Sequence, residues 1–253
     1  MDSVFSLKDK VAIITGARRG IGKAISLLFA TAEADIAVCD LIEGSELESV
    51  AEGVYKLGRK SLSMQVDISK KNDVEDMVKK VLDKFGKIDI LVNNAGLFND
   101  KIMMELPENE WDHILDVNLK GYYLCSQAVG KEMIKQKKGG IINMASRNAV
   151  QVEKGRGAYC ISKAGVVMLT RVLARELGEY NIRVNAIGPG LIETEMTQEA
   201  RSMPDFMEQL RKVVPLGRTA KPEEIAYIAL FLASEASNYV TGHMILADGG
   251  RGA

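Results

Sequence analysis

Five short runs of the chain are apolar almost without interruption: "VAII" (11–14), "IAV" (36–38), "IDILV" (88–92), "GIIN" (140–143) and "RVNAI" (183–187). A strand with one wet face alternates apolar and polar residues. A strand covered on both faces does not, and such strands belong to parallel sheets with helices on either side. Longer amphipathic stretches separate the runs. In "DVEDMVKKVLDKFG" (73–86), Val74, Met77, Val78, Val81 and Leu82 recur at helical spacing, so one face packs inward. Two further runs, "LSMQVD" (62–67) and "HMILADGG" (243–250), bring the expected strands to seven. Strand followed by helix, repeated, predicts a Rossmann-like, doubly wound α/β fold: a seven-stranded parallel sheet in a three-layer αβα arrangement. No linker or short-period repeat divides residues 1–253, so a single domain is expected, with the irregular segment 193–216 as a lid.

The charge balance excludes some partners. Lys+Arg number 33 and Asp+Glu 34, for a net charge of -1, and no basic arm is present, so no nucleic-acid partner is expected. Cys39, Cys125 and Cys160 are scattered without metal-ligand spacing, and neither they nor the two histidines, His113 and His243, suggest a metal site. His113 and His243 read as structural or surface residues. "MDSVFSLKDK" lacks the apolar core of a leader, and no run of membrane-spanning length appears, which together predict a cytoplasmic protein without a membrane partner.

The first strand runs into "TGARRGIG" (15–22), with glycines at Gly16, Gly20 and Gly22. Glycine permits a tight turn and close approach of a diphosphate to the main chain. The next helix aims its unpaired N–H groups at the same place. Arg18, Arg19 and Ile21 lie in this turn. Asp40 closes the second strand, where a carboxylate accepts hydrogen bonds from ribose hydroxyls and repels a 2′-phosphate. Leu41 and Ile42 come directly after it without a cation, so NAD is expected in preference to NADP, although Arg18 or Arg19 could reach a 2′-phosphate. Asp67, with Ile68 beside it, ends the third strand and could meet the adenine or serve as a helix cap.

These pieces, with "NNAG" (93–96), Asn118 in "DVNLKG", Ser146 in "IINMAS", "YCISK" (159–163) and "PG" (189–190), resemble the classical short-chain dehydrogenase/reductase family over residues 7–250. The resemblance implies that a ketone and a secondary alcohol are interconverted. Tyr159 is the implied proton donor and acceptor and Ser146 a donor to the substrate oxygen. Asn118 would kink a helix and hold a water, and Lys163 would bond the nicotinamide ribose. Asn94, Ala95, Gly96, Pro189, Gly190, Ile192 and Thr194 match its cofactor-contacting positions, while Asn93 is either cofactor floor or purely structural. A homotetramer is implied as well.

Free tyrosine ionises near pH ~10, too high for neutral acid–base work. Lys163, four residues on, falls on the same helix face, and its charge is expected to favour the phenolate. Residues 147–157 lie between Ser146 and Tyr159, and their Arg147, Glu153, Lys154 and Arg156 suit either a polar or anionic substrate or a solvated loop. Met196, Met203, Phe206, Met207 and Leu210 of the lid suit an apolar substrate or simple packing. A 3-oxoacyl-[acyl-carrier-protein] reductase is the alternative activity, with Lys137 and Lys138 as basic docking residues. A dinucleotide-sensing regulator without turnover is the non-enzymatic one.

Overall fold

The computed structural model describes residues 4–252. Met1–Ser3 and Ala253, which the single-domain expectation also included, lie outside them. Seven strands form one parallel sheet in the order β3-β2-β1-β4-β5-β6-β7. They are β1 (Val11–Thr15), β2 (Asp35–Asp40), β3 (Ser61–Gln65), β4 (Ile90–Asn93), β5 (Gly139–Met144), β6 (Ile182–Pro189) and β7 (Met244–Ala247). Nine α-helices accompany them among the described residues: α1 (Gly20–Thr31), α2 (Ser45–Lys56), α3 (Lys71–Phe85), α4 (Glu108–Leu115), α5 (Gly121–Gln136), α6 (Gly157–Leu177), α7 (Gln198–Arg201), α8 (Phe206–Val213) and α9 (Pro222–Ala233).

The uninterrupted apolar runs are explained by two cores, one on each face of the sheet. Along β1, Val11 and Ile13 face the core shared with α3, α5 and α6, while Ala12 and Ile14 face the core shared with α1, α2 and α9. The same alternation divides Ala37 and Cys39 from Ile36 and Val38, and Leu91 from Ile90 and Val92. The edge strands β3 and β7 are less buried, which fits their weaker apolar signal. Val66 and Asp67, expected to finish the third strand, lie just beyond it.

Strand order reverses between β1 and β4, where Ala12, Ile13 and Ile14 pair with Ile90, Leu91 and Val92. The helices after these strands leave on opposite faces, and a crevice opens at the carboxyl ends of the two strands. Polar side chains bind the sheet together beneath it. Asn93, fully buried, donates through Nδ2 to Ser126 Oγ at 3.0 Å and Asn143 Oδ1 at 2.8 Å. Asn143 in turn donates to Thr170 Oγ1 at 2.9 Å. This column ties β4, β5, α5 and α6 together, and Asn93 serves there as a structural residue.

The long helical stretch 106–136 is interrupted once. Between α4 and α5, Asp116–Lys120 forms a π turn, in which Gly121 N–H bonds Asp116 O five residues back. A π turn inserts one residue and rotates the remainder of the helix about its axis. It brings Asn118 to a fully buried position facing α6. Asn93→Ala should lower unfolding stability by about 2 kcal/mol, since it strands Asn143 Oδ1 and Ser126 Oγ without a donor. A urea titration measures this, and an unshifted midpoint would show that the polar column contributes nothing.

Candidate active site

A cleft of about 390 Å³ opens at the strand-order reversal. Its floor begins with the turn after β1. Gly16 has φ +63, and a Cβ there would lie 2.7 Å from Ala95 Cα. At Gly22 a Cβ would meet Gly16 O at 2.2 Å, so only glycine lets α1 start this close to β1. Gly22 therefore shapes the turn without lining the cleft. Gly16, Arg18, Arg19, Gly20 and Ile21 do line it. Among the described residues no side chain caps the amino end of α1. Its first N–H groups remain available to an anion. A diphosphate fits this cradle, and the turn is the element that would hold it.

Asp40, Asp67 and Ile68 line one end of the cleft. The Asp40 carboxylate accepts from Ile42 N–H at 3.1 Å and Arg18 N–H at 3.4 Å, which fixes it at the strand end with acceptor capacity to spare. Arg18 is held by this carboxylate, at 3.6 Å, and by Glu46. Its guanidinium pKa is raised, first by the hydrogen bond to Glu46. Arg18 is thus occupied by two anions. Burial pushes the Asp67 carboxyl upward, but hydrogen bonds from Ser69 and Lys70 outweigh it and leave the group below its ordinary value. Its Oδ1 accepts from Ser69 N–H at 3.0 Å and Ser69 Oγ at 2.6 Å, so it braces the turn leading into α3.

Asn94, Ala95 and Gly96 form the middle of the floor. Asn94 Nδ2 donates to Thr15 O at 3.0 Å and Gly16 O at 2.9 Å. Thr15 Oγ1 receives Asn94 N–H at 3.0 Å and Ala95 N–H at 3.2 Å. Thr15 was not singled out in the sequence, although a buried threonine at a strand end was the signal available. Pro189, Gly190, Ile192 and Thr194 close the cleft from β6 and the segment after it.

Ser146, Tyr159 and Lys163 converge at the other end. Tyr159 stands in the first turn of α6, whose positive dipole end favours an anion. Burial raises its phenol pKa, opposed by a hydrogen bond with Ser146 and by the charges of Arg156 and Arg147. Ser146 Oγ also accepts from Asn148 N–H at 3.1 Å. Two hydroxyls side by side at the end of β5 can address one substrate oxygen.

Lys163 is 3% exposed, and its Nζ donates to Met144 O at 2.8 Å and Tyr122 Oη at 3.4 Å. It lies 5.8 Å from the Tyr159 ring centre. Burial brings its own pKa down to about 7, so near neutrality it is a part-time cation. This modifies the expectation from spacing: the charges that favour the phenolate are those of Arg156 and Arg147. Asn118 does not line the cleft. Its side chain clasps Leu97, accepting N–H at 2.7 Å and donating to O at 2.8 Å, and reaches Ser162 Oγ at 3.2 Å. It supports the wall from behind.

Thr194, Glu195, Met196 and Thr197 reach the cleft from segment 193–216. Of the five apolar residues expected in the lid, only Met196 does so; Leu210 is buried away from it, and Met203 and Met207 are exposed. His113, read as structural or surface, is exposed on α4 and sits on the cleft rim. His243 bonds Thr241 O through Nδ1 on the loop before β7.

Lys163 gives a stability signature. The unfolded chain holds its proton to pH 10.5 and the folded chain to about 7. Between these limits the unfolded state binds more protons, so stability rises with pH. The rise is on the order of 5 kcal/mol when complete. Unfolding titrations from pH 6 to 10 should show it in the parent protein relative to Lys163→Met. Parallel pH curves for the two would contradict the depressed value.

Comparison with known proteins agrees with this geometry. Residues 16–251 match the family model described as enoyl-(acyl carrier protein) reductase. The chain is 42% identical over 245 residues to the 3-oxoacyl-[acyl-carrier-protein] reductase of Thermotoga maritima, covering 96% of this chain and 98% of that one. It is also 42% identical over 249 residues to the NAD-dependent glycerol dehydrogenase of Listeria innocua, covering 98% and 96%. The crystal structure of a short-chain type dehydrogenase/reductase from Mycobacterium marinum superposes with a TM-score of 0.92 at 38% identity, over 98% of this chain and 99% of that one. A Rossmann-like sheet, a glycine turn and a Ser–Tyr–Lys cluster in one cleft, matched over nearly the whole length, identify the chain as a member of the short-chain dehydrogenase/reductase family, oxidoreductases acting on CH–OH groups with a nicotinamide dinucleotide.

Proposed function

We propose that the protein interconverts a secondary alcohol and a ketone with NAD(H), using Tyr159 as acid and base. The observation that carries this reading is the meeting of Ser146, Tyr159 and Lys163 at one end of a cleft whose other end presents the open amino terminus of α1 and Asp40. Bound nicotinamide dinucleotide supplies or accepts the hydride.

The chain's own residues handle orientation and the proton. Ser146 Oγ and Tyr159 Oη hydrogen-bond the substrate oxygen. In reduction Tyr159 gives its proton to that oxygen; in oxidation it takes the proton back. The dipole end of α6, Lys163 when protonated, Arg156 and Arg147 stabilise the resulting phenolate against the cost of burial. Lys163 on Met144 O and Asn118 on Leu97 hold this wall in place.

Preference for NAD(H) is supported by Asp40 and by the engagement of Arg18 with Asp40 and Glu46, which leaves a 2′-phosphate facing an anion and an arginine already paired; the exposed Arg19 is the guanidinium that would favour NADP(H). The cysteines are free and buried, which suits a reducing cytoplasm. The exposed apolar residues Ile161, Met168 and Val172 on α6 suit pairing of that helix in a homotetramer. α6 is long and apolar enough to cross a membrane by length and composition alone, but it packs on the sheet.

A 3-oxoacyl-[acyl-carrier-protein] reductase remains the second reading, supported by the Thermotoga relative. Of its expected docking lysines, Lys138 is paired with Glu235 at 3.1 Å. Tyr159→Phe should reduce turnover at least about 100-fold, followed as absorbance of the reduced cofactor over a panel of ketones; undiminished turnover would remove Tyr159 from the chemistry. Tight cofactor binding by the parent protein with no turnover of any substrate would instead favour a dinucleotide sensor. Asp40→Ala combined with Leu41→Arg should move the NADP/NAD ratio of kcat/KM upward by about tenfold or more. An unchanged ratio would contradict the role given to Asp40.

A further inference from the structure

Segment 147–157 joins the two hydroxyl residues of the cleft, and it carries more positive charge than its own anion balances. Three guanidinium groups converge on Glu153: Arg147 and Arg156 bond it directly, and Arg251 Nη2 lies 2.9 Å from Oε1. Arg251 comes from the far end of the chain and is held there by Gln151, whose Nε2 donates to Arg251 O at 3.3 Å. Gln151 Oε1 receives Arg147 Nη1 at 2.9 Å. Glu153 alone bonds all three cations, and Asp248, whose buried Oδ2 has no partner among the described residues, is the second carboxylate acting on Arg251, so three cations face two anions. Burial, followed by the charge of Arg147, lowers the Arg251 pKa, while the nearby carboxylates Glu153 and Asp248 only partly oppose this.

The three arginines are not equivalent. The Arg147 side chain is 5% exposed and its buried Nε has no partner among the described residues. Beside it, Asn148 Nδ2 is also buried without an acceptor. Arg156 and Arg251 remain partly open, at 28% and 23%. A buried cation is costly unless paired, and a cluster with surplus cations and orphaned donors is short of one anion.

The cluster is also close to the reacting position. The Arg156 guanidinium stacks 4.7 Å above the Phe98 ring centre, and Phe98 meets the Tyr159 ring edge-on at 5.4 Å. These two contacts bound the separation of the Arg156 guanidinium from the Tyr159 ring at about 10 Å. Phe98 packs between the Arg156 guanidinium and the Tyr159 ring, just outside the cleft lining, and offers an apolar surface between the two.

We propose that Arg156 and Arg251, braced by the Arg147–Glu153 pair, bind an anionic group, carboxylate or phosphate, carried by the substrate a few bonds from its reacting carbonyl. This rests on the oxidoreductase reading and narrows its substrate class. Arg156 and Arg251 each present guanidinium N–H donors beyond those spent on Glu153, in the planar fork that suits either anion. Neutral polyols, and thioesters whose reacting end carries no charge, would leave the surplus uncompensated.

The test compares matched pairs with the NADH-loaded protein: 3-oxobutanoate, 4-oxopentanoate and 5-oxohexanoate against their methyl esters, and dihydroxyacetone phosphate against dihydroxyacetone. At least one anion should exceed its neutral partner in kcat/KM by about 30-fold, mainly through KM. The arm that responds identifies carboxylate or phosphate. Arg156→Gln and, separately, Arg251→Gln should bring that ratio close to one. Neutral partners turned over as well as the anions, or a ratio that survives both replacements, would overturn the proposal while leaving the oxidoreductase reading intact. Thermal unfolding of the NAD-saturated protein with the same compounds reads binding without turnover. A melting temperature raised by an anion and not by its neutral partner supports the anion site even if no compound is reduced. The absence of such a difference, where nothing is reduced, overturns it.

Discussion

The seam between β1 and β4 is the constraint on which the cleft depends. The connections after parallel strands at a reversal of strand order leave on opposite faces, and the gap between them needs polar closure. Asn94 and Thr15 provide it through four hydrogen bonds, two from the Asn94 amide to Thr15 O and Gly16 O and two into Thr15 Oγ1. These bonds fix the height of the glycine turn, and Gly22 can then approach Gly16 O only because it lacks a Cβ. The amino end of α1 is aimed by that contact. Moving the seam would displace the glycine turn that shapes one part of the cleft and the Ala95–Gly96 floor that shapes the next.

Burial works against ionisation at the other end. It raises the Tyr159 phenol and lowers the Lys163 ammonium, so each favours its neutral form. The fold offsets this with fixed dipoles and distant charges. Tyr159 sits in the first turn of α6, Lys163 rests on Met144 O, and Arg156 and Arg147 place positive charge behind the ring. Near neutrality the amine therefore sits close to the balance between its forms, while the phenol stays protonated and holds a proton that a substrate oxygen could accept.

The strands and the glycine turn were legible in the sequence because they depend on local pattern. "VAII" and "IDILV" announce two covered faces, and the turn comes directly after the first strand. Ser146, Tyr159 and Lys163 were legible through the family resemblance, which gave meaning to a spacing that alone would not stand out. The interruption of the helix at Asn118 was legible only as a kink implied by the resemblance; that it is a π turn was not, because a hydrogen bond shifted by one residue leaves no compositional trace. Segment 193–216 was legible as irregular, yet of the apolar residues expected to cover the cleft only Met196 reaches it, because the register of short helices is set by tertiary contacts. His113 and Thr15 were missed for the same reason, since lining a cleft depends on the neighbours of an element and not on its own periodicity.

Segment 147–157 shows how far local reading extends. Its charges were visible, and each alone suited a solvated loop. Their meaning changes with Arg251, about a hundred residues away, folded against Glu153 by Gln151. With two arginines the glutamate would be flanked by a modest excess of charge. With three, one of them buried to 5% exposure with an orphaned Nε, mutual repulsion is built into the wall next to Tyr159. Proteins keep such local conflict where something else relieves it. Here the charges of Arg156 and Arg147 favour the Tyr159 phenolate and would serve the anionic group of a bound substrate, so in the proposed reaction acid–base chemistry and substrate choice would draw on one set of charges.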